Sequence, residues 1–175
     1  MALIFQYGSN THEARINCID RLNGDAKYLY NAKTIGEYEI DFTVWSSTNN
    51  CAAADMVRKK GSHVWGVVYC IPDYLVRRNS AKKRGRKSLD EIEGEGKNYR
   101  RTRIKVETES GEIISAITYI VKCKRKGFKT SLEYARHIIK GLEEHHIPNE
   151  YIQKVKQKIV ENNSSLWCHF KSSSQ

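Results

Sequence analysis

Short apolar runs and stretches of alternating apolar and polar residues fill the first two-thirds of the chain, and apolar residues recur at every third or fourth position after that. Residues 2–7 form a short apolar run that reads as a strand. Tyr38, Ile40, Phe42 and Val44 alternate with Glu39, Asp41 and Thr43, the pattern of a strand with one wet face. Residues 63–70 are apolar on both faces and should lie centrally in a sheet. Ile104 and Val106 alternate with Arg103 and Lys105 up to a turn signal at Ser110 and Gly111, and residues 113–121 return as a second strand, which predicts a hairpin. Leu132, Ala135, Ile138, Ile139 and Leu142 then form a helical stripe, preceded by a capping-box spacing of Thr130 and Glu133. A second helix is predicted over 149–162, with Ile152, Val155, Ile159 and Val160 on its apolar face. Strands first and helices last is the order of an α+β domain.

Two turns in this frame carry candidate chemistry. The first strand empties into Tyr7, Gly8, Ser9 and Asn10, and a helix-like segment follows with Glu13 three residues beyond Asn10. If Asn10 caps that segment, several backbone amides are left free for an anion or a developing oxyanion, although most Gly-Ser-Asn sequences are ordinary turns. The second turn is 88–94. Ser88 and Glu91 are spaced as a capping box, and Gly94 can supply a left-handed stop. At about 100° per residue Leu89, Ile92 and Glu93 share one face, with Asp90 and Glu91 elsewhere. The two apolar residues then carry Glu93 inward, where apolar walls would raise its pKa and suit it to proton exchange near neutrality. On these residues alone, a surface Glu93 beside a turn glycine competes with that reading. Tyr134 borders the helical stripe, so its hydroxyl is equally free to face a cavity or solvent, and Tyr99 reads as core.

Composition narrows the class. A chain of 175 residues is expected to hold one domain, over 1–165, with a Ser-rich flexible tail at 166–175. Cys18, Cys51, Cys70, Cys123 and Cys168 are odd in number and scattered without a C-x-x-C pair, which argues against a disulfide framework or a zinc site and for reduced thiols in the cytoplasm. The adjacent pairs His145-His146 and Cys168-His169 cannot converge on one metal from a helix. Residues 1–6 are too short for a signal peptide, and no apolar run approaches a membrane span. The net charge of +10 is concentrated in Arg77, Arg78, Lys82, Lys83, Arg84, Arg86 and Lys87, and in Lys122, Lys124, Arg125, Lys126 and Lys129. Nucleic acid could bind such clusters, but no stacking platform or helix-turn-helix signature accompanies them. Solvated loops that steer anionic substrates are the preferred reading.

Taken in order, Tyr7-Gly8-Ser9-Asn10, the run 63–69, Leu89 to Gly94 with Tyr99, the run 116–120, Ser131 to Tyr134 and the run 147–152 closely resemble the γ-glutamylcyclotransferase family, with its AIG2-like fold. The resemblance extends over about residues 3–159. It implies a small, mostly antiparallel β-barrel flanked by helices, and cleavage of a γ-glutamyl amino acid or amine to 5-oxoproline and the free amine without metal, nucleotide or other cofactor. Glu93 falls on the family's catalytic glutamate. The segment Ile4, Phe5, Gln6, Tyr7, Gly8, Ser9 and Asn10 matches its substrate-binding loop, and Tyr99 and Tyr134 match tyrosines that line the pocket. The implied partner is a small γ-glutamyl molecule bound by a monomer or homodimer, with no membrane. The alternative is a protein of this fold that binds a γ-glutamyl ligand, or nucleic acid through Arg77 to Lys87, with little turnover. Gln6 stands where a small residue is common, Thr11 replaces a usual Leu or Met, and 77–87 is unusually basic. These departures leave the leaving group open.

Overall fold

The computed structural model describes residues 1–170. In chain order its elements are β1 (Ala2–Gln6), α1 (Glu13–Ile16), β2 (Lys27–Thr34), β3 (Tyr38–Ser46), β4 (Cys51–Arg58), β5 (Trp65–Ile71), α2 (Arg78–Lys82), α3 (Leu89–Ile92), β6 (Tyr99–Thr108), β7 (Ile113–Val121), α4 (Leu132–Glu144), α5 (Asn149–Asn162) and α6 (Trp167–Phe170). Strands β1, β5, β2, β6 and β7 close a barrel in that order, and β3 pairs with β4 as a separate hairpin. Every barrel pairing is antiparallel except β1 with β7, joined at Ile4 and Ile117. This is the α+β barrel expected from the sequence, with β5 central between β1 and β2 and the β6–β7 hairpin in place.

Successive strand residues point to opposite faces, and β1 is buried on both. Ile4 enters a cluster with Ile16, Leu22, Tyr69, Leu75 and Leu89, which roofs one side of the barrel with the short helices. Phe5 and Tyr7 enter the other, with Phe42, Met56, Tyr134, Ile138, Leu142 and Val155. Helix α4 lies close against residues 9–12 because Gly141 has no side chain. A Cβ there would fall 2.3 Å from the His12 nitrogen and 2.3 Å from the Thr11 hydroxyl.

Several local expectations are corrected. Asn10 is not a cap: residues Ser9–Thr11 form a 3-10 turn, and His12 occupies the N-cap of α1. Ser131, not Thr130, caps α4, accepting from the Tyr134 amide. Residues 77–87 are not an open loop. Arg78 donates to the Asp90 and Glu95 carbonyls at 3.1 and 2.5 Å, and Arg86 reaches the Leu22 carbonyl at 2.7 Å and Asp25 at 2.6 Å. Arg84 lies 4.5 Å over the Tyr74 ring. Arg77, Lys82, Lys83 and Lys87 remain exposed. The second basic cluster gives up Lys124, which pairs with the buried Asp55. Part of the expected tail, 166–170, holds α6 with Leu166 and Phe170 buried, and 171–175 lie outside the described residues. Among the described residues no helix is long and apolar enough to cross a membrane.

Candidate active site

Three local structures converge at the end of the barrel where β1 finishes. The chain leaves β1 through Tyr7 and turns over Gly8 into the 3-10 turn, closed by the Thr11 amide and hydroxyl on the Gly8 carbonyl at 3.0 and 2.8 Å. The Ser9 and Asn10 amides head that turn without an acceptor inside it. On the opposite side Ser88 and Glu91 close the expected capping box, Glu93 is the C-cap of α3, and Gly94 follows at φ +69°. The left-handed glycine ends the helix at once and leaves Glu93 pointing across the gap. Tyr99 opens β6 and Tyr134 comes from the first turn of α4.

These residues enclose a narrow cavity lined by Gln6, Tyr7, Gly8, Ser9, Asn10, Ala54, Glu93, Tyr99, Tyr119 and Tyr134. The structure therefore brings together Glu93, the loop from Gln6 to Asn10, and both expected tyrosines. It does not bring Ile4 and Phe5, which are fully buried in the two cores. Sequence reasoning missed Tyr119, which sits inside a recognised strand, and Ala54, which contributes backbone. Trp45 and Trp65 stay outside the lining.

Hydrogen bonds fix the walls. Tyr99 donates to the Ala54 carbonyl at 2.8 Å, and the Ala54 amide donates to the Tyr134 hydroxyl oxygen at 3.1 Å. Tyr7 donates to the Tyr119 carbonyl at 2.7 Å. The Tyr119 hydroxyl in turn donates to Asp90 at 2.8 Å, whose other oxygen receives Arg101 at 2.5 Å. Asp90, expected to point away from the core, is thus buried beneath the site. One turn of helix cannot reveal that protein lies on two of its sides.

Asn10 donates its amide to Glu93 Oε1 at 2.8 Å, and its carbonyl oxygen accepts from Arg21 at 3.0 Å. Arg15 donates to Ser9 Oγ at 3.2 Å and to Asn49 at 2.5 Å. Burial pushes the Glu93 carboxyl above the ordinary glutamate range, and Asn10, Arg21, Gln6 and Arg15 oppose that rise. The Gln6 amide nitrogen is buried with no partner in hydrogen-bonding geometry. It lies close enough to Glu93 to favour the ionised carboxyl without closing a bond. Burial also holds Tyr7, Tyr99 and Tyr134 above the usual phenol range, so all three stay protonated at neutral pH. A carboxyl poised in this way can exchange a proton with a bound amine, and the neighbouring amides can receive negative charge. A roomier groove of about 370 Å³ runs between β3, β5 and α5, where Glu39 and Lys158 pair at 3.3 Å.

A closed five-stranded barrel flanked by helices is the γ-glutamylcyclotransferase-like fold. Several solved structures share it, and three illustrate the likeness to this chain. One described as a γ-glutamyl cyclotransferase is 27% identical, with a TM-score of 0.74 over 89% of this chain and 86% of that one. A human protein, loc79017, described as uncharacterized, is 28% identical with a TM-score of 0.73 over 89% and 86%. YkqA from Bacillus subtilis is 26% identical with a TM-score of 0.70, over 90% of this chain and 54% of that one. The AIG2-like family model matches residues 63–155, and the chain belongs to that family. No curated protein sequence matches it.

Proposed function

We propose that the protein is a γ-glutamylcyclotransferase that releases 5-oxoproline from a γ-glutamyl amino acid or amine, with Glu93 as proton carrier. The observation that carries this reading is the Glu93 carboxyl on the cavity wall, with Oε1 held by Asn10, set across a narrow gap from the Gly8 loop. The membership and the likeness to a solved γ-glutamyl cyclotransferase support it.

The chemistry asks mainly for position. The substrate's α-amine attacks its own γ-carbonyl carbon, the new C–N bond closes the five-membered lactam, and the C–N bond to the leaving amine breaks. Well-held intramolecular attack of this kind reaches effective molarities of about 10⁵–10⁸ M. Two protons pass in sum from the attacking nitrogen, which enters as an ammonium, to the leaving nitrogen, which departs as one. A carboxylate between the nitrogens accepts from the first and donates to the second, and no water is consumed. The Ser9 and Asn10 amides are placed to receive the tetrahedral oxyanion or the α-carboxylate. The Tyr134 hydroxyl, accepting from Ala54, keeps its own proton to donate. The five cysteines are all unpaired, which agrees with a cytoplasmic setting.

Glu93→Gln tests the reading. It keeps the shape and the Asn10 contact but cannot take a proton, so 5-oxoproline release from a panel of γ-glutamyl amino acids and amines is expected to fall by about 10³-fold or more with folding unchanged. Glu91→Gln, altered on the exposed side of the same turn, is expected to keep near-parent activity. Comparable turnover by the parent and Glu93→Gln proteins would sink the mechanism.

A further inference from the structure

Glu93 is the carboxyl that the proposed reaction needs in its base form, yet its site withdraws it from water. Desolvation disfavours the ionised state, so something in the fold must oppose it. The groups around it are few. The barrel and α4 present Tyr7, Tyr99, Tyr119 and Tyr134, all held protonated by burial. Asp90 lies behind Tyr119 and is already paired with Arg101, and Asp55 beyond Tyr7 and Tyr99 is paired with Lys124. Positive charge comes from the segment after the Gly8 loop, as Arg15 and Arg21. Both guanidinium groups are partly buried, and neither forms an ion pair with a carboxylate among the described residues.

We propose that Arg21 is a positioning residue for this site: by donating to the Asn10 side-chain carbonyl it fixes the asparagine with its NH₂ toward Glu93, and its charge keeps Glu93 ready to accept the substrate's proton. An Asn side chain is nearly symmetric in shape but not in polarity, so its orientation is set by its partners. With Arg21 on Oδ1 at 3.0 Å, the donor end can only face Glu93, where it holds Oε1 at 2.8 Å. If the amide were reversed, an acceptor would face the carboxyl and favour its protonated form. Arg15 adds charge nearby but is spent on Ser9 and Asn49, so it supports the loop rather than the asparagine. The inference deepens the reading of Glu93 as proton carrier and rests on it for its functional meaning.

The test reads Glu93 directly. Protein labelled with ¹³C at the glutamate carboxyls is titrated by NMR, the Glu93 signal being the one absent from Glu93→Gln, and kcat/KM for 5-oxoproline release is measured across pH on the same samples. Arg21→Met is expected to raise the Glu93 midpoint by about one pH unit, the size of one guanidinium charge lost at this range. The acid limb of kcat/KM should move with it. Arg21→Gln keeps a donor for Asn10 without the charge and should fall between parent and Arg21→Met, whereas Arg21→Lys restores the charge and should lie nearer the parent. An unchanged Glu93 midpoint in Arg21→Met would overturn the proposal, as would identical midpoints for the Lys and Gln proteins, which does not depend on the Met protein folding. If the midpoint moves but the parent forms no 5-oxoproline, the Arg21 assignment stands and the cyclotransferase reading falls. If 5-oxoproline forms and the acid limb follows an unmoved Glu93, the reverse holds.

Discussion

At Gly8 the structure constrains space rather than torsion. Its φ of −101° is open to any residue, but a Cβ would stand 3.3 Å from Ala54 Cβ and 3.6 Å from the Tyr134 hydroxyl, on the wall of the cavity. A methyl group there asks its neighbours to yield only a few tenths of an ångström, while it fills room that a ligand needs. Gly8→Ala is therefore expected to change the melting temperature by no more than a few degrees and to lower kcat/KM by about tenfold or more, a steric loss of the size a single carbon causes in a fitted pocket. Unfolding measurements beside steady-state kinetics check it. A collapse of stability with normal kinetics in the surviving fraction would assign Gly8 to the fold instead of the site. Glu93 and Gly8 were marked as candidates by a short capped turn and a strand-glycine-serine junction, but those marks left a surface Glu93 and an ordinary turn open, and the family resemblance chose between the readings. Arg21 and Asp90 carried no such mark, because each acts through a partner far along the chain: Asn10, and Tyr119 with Arg101.

At the scale of elements, α4 and the Gly8 loop form one unit, and a histidine pair sits on their seam. His12 Nδ1 and His137 Nδ1 lie 2.9 Å apart, so one ring donates and the other accepts. Burial lowers both, His137 to about 4, with Arg15 and His12 adding to its fall. Glu144 and Glu133 oppose the shifts, and Lys140 and Arg21 add to them. Since each pKa is lower folded than unfolded, the pair's contribution is fully present above the unfolded histidine value of about 6.5 and is lost as pH falls toward the folded values. Thermal melts should show stability declining from pH 7 to 4.5, and His137→Gln should flatten that part of the profile. Equal pH dependence in parent and variant would remove the pair as its source. The elements most visible in sequence were those with clean periodicity: β3, the β6–β7 hairpin, α4 and α5. Strand β2 escaped because Lys27, Tyr28, Leu29 and Tyr30 are all exposed, and β4 because Cys51 to Met56 are buried without alternation and rich in alanine, a poor strand former.

At the scale of the whole molecule, the exposed positive charge is expected to act as a steering field. Part of the charge is structural: Arg78, Arg84, Arg86 and Lys124 each hold an intramolecular partner. Changing these would confuse stability with steering. The exposed Arg77, Lys82, Lys83 and Lys87 are the fair test. Replacing all four with Gln should leave the melting temperature near the parent's and reduce kcat/KM for an anionic γ-glutamyl substrate a few-fold at low salt. The difference should fade at 0.15 M, where the Debye length is about 8 Å. Tight nucleic-acid binding by the parent at that salt, lost in the variant with cyclisation unchanged, would give the surface a different purpose.

Local sequence determined the parts of this protein that depend on neighbours a few residues apart: strand and helix periods, the Ser88–Glu91 capping box, the Gly94 stop and the Gly-Ser turn. Short-range sterics and hydrogen bonding favour these locally, and packing then makes them stable. Only the folded chain decided that Asn10 serves Glu93 rather than a helix end, that Ile4 and Phe5 turn to the cores instead of the cavity, and that Asp90 is buried. Each of those outcomes depends on which surface meets the residue from elsewhere in the chain. A carboxylate, an amide and an apolar ring keep the same identity in sequence whether they face water, a wall or one another.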